Sequence, residues 1–474
     1  MLGIGKRANI LCALVLCSGV SPSANAETQT LEQAWTQAYR NNPSLEAQRA
    51  SLRATDEQVS QALANWRPSV DATGTYGKTW QFAPDLAPFE NPTFDDKTRG
   101  VGAQVTQPLF RGFRTKEATE AAEKQVLAGR AKLSSAEQQL FLDTAFAYLG
   151  VLRDEAVLEL ERNHETVLED KLKETRARSE AGELTGTDVR QAESRLARAH
   201  VSRYQAESTL TQDRASFARL VGTAPGQLQP PALILESPRT LADIFQAAET
   251  RNPDVVASQF AVEEADAEIK LNKGSLLPEV DLVGNTGRNW GQSITVPGRE
   301  DSSQVLVQVT VPLYRSGTDY SKARAAQQTY SQRKDELDEA RHKAHENADN
   351  AWQALMTAQA ALDADKSEVD AADEALKGVT EESKVGTRTT LDVLNAEQEL
   401  LDAKIDEVRS QHDRDFAVLQ IKSAVGMLTS DNLKLPVEPY DPKRHYEDVR
   451  NQWAGFSRDD ARYKVAHEPP ATSQ

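Results

Sequence analysis

The residue that this 474-residue sequence most clearly lacks is cysteine, of which there are two, Cys12 and Cys17. Both lie near the N-terminus, so a disulfide framework and a cysteine metal site are excluded. Aromatic residues make up 6% of the chain, and the composition is low in the large apolar residues that fill a compact enzyme core. The chain has 55 Lys and Arg residues against 72 Asp and Glu residues, which gives a net charge of −17. This negative charge argues against nucleic acid as a partner, because phosphate binding requires a basic surface.

The first 26 residues have the pattern of a secretory signal peptide. Lys6 and Arg7 give a positive start, residues 8–20 form an apolar segment, and small residues precede a cleavage site after Ala26. The alternative is an N-terminal membrane anchor, for which the apolar run is short. No later stretch has 18 consecutive apolar residues, so we expect the mature chain to be either soluble outside the cytoplasm or an outer-membrane β-barrel.

The rest of the chain is an internal duplication. Motifs recur at a spacing of 210 residues early in each half and 204 residues later, which indicates two units of the same design. Matching pairs include Asn42-Pro43 with Asn252-Pro253, Trp80 with Trp290, Gly182 with Gly386, Asp188 with Asp392, and Gly222 with Gly426. The predicted divisions are a first repeat at 27–222, a linker at 223–238, a second repeat at 239–426 and a partly disordered C-terminal tail at 427–474.

Each repeat contains a long helical hairpin. Residues 114–182 and 318–385 lack proline and are rich in Ala, Glu, Gln, Lys and Arg, so each predicts a helix of about 100 Å. After a tight turn, a second helix of nearly 40 residues runs back along each long helix, which gives helical hairpins at 114–222 and 318–426. Ala351, Leu355, Ala358 and Leu362 have the spacing of a coiled-coil seam with small contact residues.

Each repeat also contains two predicted strands, at about 69–80 and 100–108 in the first repeat and at about 279–290 and 303–312 in the second. Valines at 305, 307 and 309 share one face of the last strand. The polar residues that point to the opposite face are Gln104, Thr106, Gln308 and Thr310. This alternation fits a strand between lipid and a wet lumen, or an ordinary sheet whose valine face packs on a protein core.

Four strands per chain cannot close a barrel, and an open sheet edge is not stable in lipid. If the sheet lies in a membrane, several chains must therefore share one barrel. Eight strands from two chains and twelve from three both remain open at this point, because sequence arithmetic does not choose between them.

The chain resembles the TolC family of trimeric outer-membrane channel-tunnels over about residues 28–435. The resemblance rests on the order, spacing and duplication of Asn42-Pro43, Gln107-Pro108-Leu109-Phe110, Val311-Pro312-Leu313-Tyr314, Val385-Gly386-Thr387-Arg388-Thr389 and Asp392-Val393-Leu394-Asn395-Ala396. It implies a mixed, mainly α fold. In a homotrimer, four strands per chain form one shared transmembrane β-barrel, continuous with a long coiled-coil α-helical barrel in the periplasm.

The resemblance also implies a function. The protein would be an exit duct in the outer membrane of a Gram-negative bacterium, with no catalytic residues and no cofactor. Its partners would be a periplasmic adaptor protein, an inner-membrane ABC or proton-driven transporter, and outer-membrane lipid. The tail, with Tyr440, His445-Tyr446 and Trp453, is similar to the branch that serves type I protein secretion, which we favour slightly over drug efflux.

A periplasmic gate is expected at the hairpin turns, which Gly182, Gly186 and Gly386 mark. By the resemblance, Arg388 matches an arginine that bonds to a neighbouring coil. Its matching partners are Thr187 and Asp188. The alternative is a solvated arginine in an exposed turn. The family also uses a tyrosine to hold the tunnel closed, and Ser383 occupies the matching position in this chain.

Two further positions are assigned to the gate. By the resemblance, Asp392 matches a family aspartate that lines the constriction at the tip of the tunnel. The family often has a second acidic residue one turn further on, where this chain has Asn395, so its cation selectivity should be milder than in those members. The other explanation for Asp392 and Asp188 is stabilisation of a helix N-terminus.

Trp80 and Trp290 are predicted to lie at the membrane interface, or else to pack against loops. Enzyme motifs are not evident, and His342 and His345, three residues apart, lack a third metal ligand. The alternative function is a soluble periplasmic coiled-coil adaptor or scaffold.

Overall fold

The computed structural model describes residues 28–82, 93–233, 240–291 and 298–455. Two long helical hairpins extend from one side of a group of shorter helices, and a four-stranded sheet extends from the other. The helices are α1 (Leu31–Asn41), α2 (Pro43–Ala64), α3 (Arg114–Glu180), α4 (Gly186–Val221), α5 (Leu241–Arg251), α6 (Pro253–Gly274), α7 (Thr318–Lys384), α8 (Thr390–Ala424) and α9 (Arg444–Val449). The strands are β1 (Thr28–Gln29), β2 (Ser69–Phe82), β3 (Thr93–Arg111), β4 (Gln227–Leu228), β5 (Glu279–Trp290) and β6 (Arg299–Thr310).

The duplication is visible in the backbone at the points where strands turn into long helices. Gly112 and Phe113 both have positive φ before α3, and Ser316 and Gly317 do so before α7. At Gly112 a side chain would also collide, because a Cβ would lie 2.4 Å from the carbonyl oxygen of Gly274. The first junction therefore requires glycine for both conformation and space.

The Asn-Pro motifs join helices end to end. The Asn42 side chain accepts hydrogen bonds from the first backbone N–H groups of α2, while its Nδ2 donates to the carbonyl oxygen of Leu220 near the end of α4, at 3.1 Å. Asn252 makes the same pair of interactions between α6 and Ala424 of α8. Each asparagine thus satisfies unpaired groups at one helix start and one helix end.

The long hairpins are held by narrow seams of small residues. The seam predicted in α7 is confirmed, since Ala351, Leu355, Ala358 and Leu362 are all buried. In α3, Gly150 leaves room for the Asp213 carboxylate of α4, since a Cβ at this position would lie 2.5 Å from one of its oxygens. Because each small side chain buries little area, such helices require many contacts in parallel.

A larger apolar core lies where the short helices meet the long ones. Trp35 of α1 packs on Phe141 of α3, and its indole N–H donates to the Phe141 carbonyl oxygen at 2.8 Å. The Tyr148 hydroxyl lies 2.7 Å from the carbonyl oxygens of both Gln29 and Gln229, beside the parallel pair β1–β4. Burial raises the pKa of Tyr148 to about 12, so the phenol stays neutral and can donate.

The described part of the C-terminal tail folds back over α1 and α2. Leu428 and Leu435 join the apolar core, and α9 packs against α2. His445 Nδ1 lies 3.1 Å from a carboxylate oxygen of Asp56, which is fully buried. Burial raises the pKa of Asp56 despite its bond to the imidazole.

The four long strands form one antiparallel sheet in the order β2-β3-β5-β6. The predicted strands are present, but three of them extend beyond the predicted ends: β2 continues to Phe82, β3 begins at Thr93 and β6 begins at Arg299. β2 and β3 pair as far as Phe82 with Thr93, and β5 pairs with β6 from Arg299. Conversely, β6 stops at Thr310 because it lies at the edge, whereas β3 reaches Arg111 because β5 pairs with it there.

The mainly α fold with two repeats and a four-stranded sheet is confirmed. The predicted signal peptide at 1–26 lies outside the described residues, as do the last part of the linker and the end of the tail. Among the described residues, no helix combines the length and apolar character needed to cross a membrane.

Candidate functional site

The tips of the two hairpins have nearly the same backbone structure, and the glycines explain it. Gly182 and Gly386 have φ of +79° and +82°, and the residue after each donates its N–H back to the preceding helix, as in a Schellman motif. Gly186 is different, because it is the first residue of α4 and its φ is not positive. Its position requires no left-handed conformation.

The second helix of each hairpin starts with a capping box. The Thr185 hydroxyl accepts from the backbone N–H of Asp188, whose carboxylate accepts from the Thr185 N–H at 2.9 Å. Thr389 and Asp392 repeat this arrangement at α8. Each threonine hydroxyl also donates to the aspartate carboxylate, at 2.7 Å for Asp188 and 2.8 Å for Asp392. The hydrogen bonds from the threonine hydroxyl and backbone N–H hold the pKa of both aspartates below the usual range. Each aspartate therefore stabilises a helix N-terminus and remains ionised at neutral pH.

Arg388 has a partner within its own hairpin. Its Nε donates to an oxygen of Glu382 at 2.9 Å, and both side chains are half exposed. This hydrogen bond and ion pair raise the pKa of Arg388. In the single chain Arg388 is thus not bonded to Thr187, which is exposed, or to Asp188, which is engaged in its capping box.

Asn395 takes part in a contact that the sequence analysis missed. Arg195 of α4 donates to its Oδ1 at 2.8 Å, which links the first hairpin to the second. Beside this bond, Leu394 is buried against Leu168 of α3 and Ala192 of α4. The two hairpin tips of one chain are therefore joined by an apolar cluster and by one charge-assisted hydrogen bond. No local sequence signal pairs residues 200 positions apart.

The four side chains that were predicted to face water lie on one face of the sheet, and the valines of β6 lie on the other. Gln104 and Thr106 of β3 pair with Asn285 and Val283 of β5. These two residues pair in turn with Gln304 and Leu306 of β6. Because residues in one row of a sheet share a face, the four predicted polar side chains lie on the same side. The residues on that side are Gln104, Thr106, Gln308 and Thr310, and those on the other side include Val105, Val305, Val307 and Val309.

Trp80 and Trp290 lie on the valine face, away from the helices, but in different rows. Trp290 is level with Arg99 and Tyr76, whereas Trp80 lies four residues further along β2. Tyr76 is a third exposed aromatic residue on this face, at a position that the duplication did not indicate. Cations lie over both indoles, Lys78 at 5.2 Å from the Trp80 ring and Arg99 at 5.9 Å from the Trp290 ring.

Comparisons with known proteins agree with this architecture. A family model described as outer membrane efflux protein matches residues 34–223 and 244–427. The outer membrane efflux protein BepC of Brucella suis biovar 1 is 32% identical over 455 residues, 96% of this chain and 98% of that protein. The outer membrane protein TolC of Vibrio cholerae is 25% identical over 419 residues, 85% of this chain and 92% of that protein. A solved membrane protein from Pseudomonas aeruginosa has a TM-score of 0.74 at 22% identity, with coverage of 83% and 90%.

The fold and these similarities define an outer-membrane efflux or secretion channel with the TolC architecture. The chain belongs to the outer membrane efflux protein family. The resemblance found in the sequence is confirmed, and so are the outer-membrane location in a Gram-negative bacterium and the assignment as a transport protein and not an enzyme. Proteins of this family work in tripartite export systems with an adaptor and an inner-membrane transporter.

Proposed function

We propose that three copies of this chain form one exit duct, which an adaptor and an inner-membrane transporter open at the hairpin tips. The two edges of the sheet carry this proposal. Among the described residues of the single chain, β2 pairs only with β3 and β6 only with β5, so each edge leaves backbone groups without strand partners. Three chains joined edge to edge would make a closed sheet of twelve strands with room for a lumen.

The exposure of the valine face supports the same assembly. Val305, Val307 and Val309 are 60–77% exposed in the single chain, although they form a continuous apolar strip. Water is a poor environment for such a strip, whereas lipid suits it. The opposite face, with the glutamines and threonines, would line the aqueous path.

The gate is proposed to close through Arg388. In the closed trimer it would leave Glu382 and bond Thr187 and Asp188 beside the turn of a neighbouring coil. In both arrangements the guanidinium of Arg388 pairs with a carboxylate at the surface, Glu382 or Asp188, and such pairs are weak and close to each other in strength. A small difference in free energy between the closed and open states allows the docking of a partner to open the gate.

The cargo is proposed to be a secreted protein, with small molecules as the alternative. Support comes from the tail, whose Tyr440 and His445 contact α1 and α2 and which is similar to the type I secretion branch. A strain that lacks the gene would be complemented and scored for protein export and for drug sensitivity in parallel. Rescue of drug resistance alone would assign the chain to efflux.

The decisive measurement is single-channel conductance of the purified mature protein in a planar bilayer. We expect small, cation-preferring openings, and larger basal conductance for Arg388→Ala. The matched control is Lys384→Ala, since Lys384 is also exposed at the tip and pairs with Glu381 at 2.7 Å. Equal conductance in all three proteins would contradict the gate. No conductance from a protein that stays in solution without detergent would instead favour the periplasmic scaffold.

A further inference from the structure

Two carboxylates and an imidazole converge on one side of the first hairpin. Glu165 and Glu169 lie one turn apart on α3, and His200 faces them from α4. One potential ligand atom from each residue lies within 4.8 Å of the other two. Among the described residues, no other set of three acidic, histidine or cysteine side chains comes this close together.

The backbone positions of these side chains are fixed by the adjacent seam. Leu168 and Leu172 of α3 and Ala199 of α4 are buried together, each one or a few positions from a member of the cluster. The cluster itself lies at the edge of that seam, with Glu169 exposed and the His200 side chain 40% exposed. An ion could therefore enter from solvent, and the helices would not have to separate.

We propose that Glu165, Glu169 and His200 bind a transition-metal dication of the Zn²⁺ type, which cross-links α3 to α4. Imidazole with carboxylate oxygen is a donor set that Zn²⁺ accepts, at metal–ligand distances near 2.0–2.2 Å. Three ligands at these distances fit the observed spacing after small side-chain rotations. The fourth position of a tetrahedral site would be filled by water.

Arg203 supplies the outer interactions that such a site needs. Its Nε bonds one oxygen of Glu165 at 2.6 Å, while the other oxygen lies 2.5 Å from His200 Nδ1. Glu165 is thereby oriented with one oxygen toward the cluster, as outer-shell partners orient ligating carboxylates. Arg203 also bonds Glu207 at 2.9 Å, so it holds Glu165 from the side of α4 while Glu169 keeps its own negative charge.

Glu169 adds a charge that the chain does not neutralise. No hydrogen bond or ion pair is found for it among the described residues, whereas Glu165 contacts both His200 and Arg203. Binding of a dication would place Glu169 beside positive charge and would take the place of the contact between His200 and Glu165. The site does not depend on the proposed export function, because it uses only the two helices of one hairpin.

The test is calorimetric titration of the untagged mature protein in detergent with Zn²⁺ alone. We expect one ion per chain and a higher melting temperature with Zn²⁺ than with a chelator. Glu169→Gln removes the carboxylate that has no partner and should preserve the fold, yet it should weaken binding at least tenfold. His200→Ala should weaken it as much or more.

The matched control is His345→Ala on α7. His345 is also about 40% exposed and lies 4.0 Å from a carboxylate oxygen of Glu249, but it has no second carboxylate in reach within the described residues. This variant should bind Zn²⁺ like the unmodified protein. Binding that survives both Glu169→Gln and His200→Ala, or that is absent from the unmodified protein, would overturn the proposal and leave the cluster as an ion-pair network.

Discussion

Asn42 offers the sharpest test of how the helices of the chain are joined, because the two ends of its side-chain amide make hydrogen bonds to two different helices. Its Oδ1 accepts from the backbone N–H groups of Ser44 and Leu45 at 2.9 and 3.3 Å, which caps α2. Its Nδ2 donates to the carbonyl oxygen of Leu220 at 3.1 Å, which satisfies the end of α4. The residue is 6% exposed, so water does not readily replace either partner.

The expected magnitude follows from these bonds. Asn42→Ala removes a helix cap, which costs about 1 kcal/mol, and leaves a carbonyl group unpaired, which costs about 1–2 kcal/mol more. Because 1.4 kcal/mol is a factor of ten, local opening at this junction should become about 30 to 150 times more frequent. Hydrogen exchange followed by mass spectrometry on peptides from the start of α2 and the end of α4 would measure it.

Asn42→Asp divides the two contributions. Aspartate keeps the acceptor that caps α2, but it turns an oxygen toward the Leu220 carbonyl in place of a donor. Protection should therefore fall at the end of α4 and persist at the start of α2. Asn41→Ala is the control, since Asn41 is adjacent and exposed. Two results would contradict this double role of Asn42: full protection of both helix ends in Asn42→Ala, or equal loss of protection at both ends in Asn42→Asp.

The other predictions concern the hairpin tips and the tail. Glu382→Gln removes the competing partner of Arg388, so it should lower basal conductance, opposite to Arg388→Ala; an increase would refute the exchange of partners. Thr389→Ala should destabilise the start of α8 by about 1 kcal/mol, measured by hydrogen exchange. The hydrogen bonds from Thr389 lower the pKa of Asp392. The stability that Asp392 contributes is therefore complete above its unfolded pKa near 4 and is lost as the pH falls through the lower folded pKa; a protection factor at the start of α8 that stays constant from pH 6 down to pH 2 would contradict this. His445→Ala leaves a buried carboxyl group without its partner and should release α9 to limited proteolysis, at a cost of about 2–3 kcal/mol, unless the helix is held by apolar contacts alone.

Much of this architecture follows from short-range features that can be read along the chain. The lengths of α3 and α7 follow from proline-free runs of helix-forming residues, because each turn depends only on residues four positions apart. The tips follow from Gly182 and Gly386, which permit positive φ, and from threonine and aspartate at capping-box spacing. The two faces of β6 follow from alternation, since every second side chain points the same way.

The strand ends could not be predicted as well, because a strand stops where its neighbour stops. β3 extends to Arg111 only because β5 lies beside it, and β6 ends earlier because it has a partner on one side. The level of Trp80 relative to Trp290 has the same origin. Their equivalence in the duplicated sequence gives no information about the register that the sheet adopts.

By itself, the sequence determined the duplication, the long hairpins, the turns and the alternating strands, because each depends on residues close together in the chain. The tertiary structure alone decided that Arg388 pairs with Glu382, that Arg195 holds Asn395, and that His200 meets Glu165 and Glu169. The last two contacts cross between helices, so they depend on how far one helix is shifted and rotated against the next. A shift of one residue along either helix would separate these side chains without changing the helix pattern of the sequence.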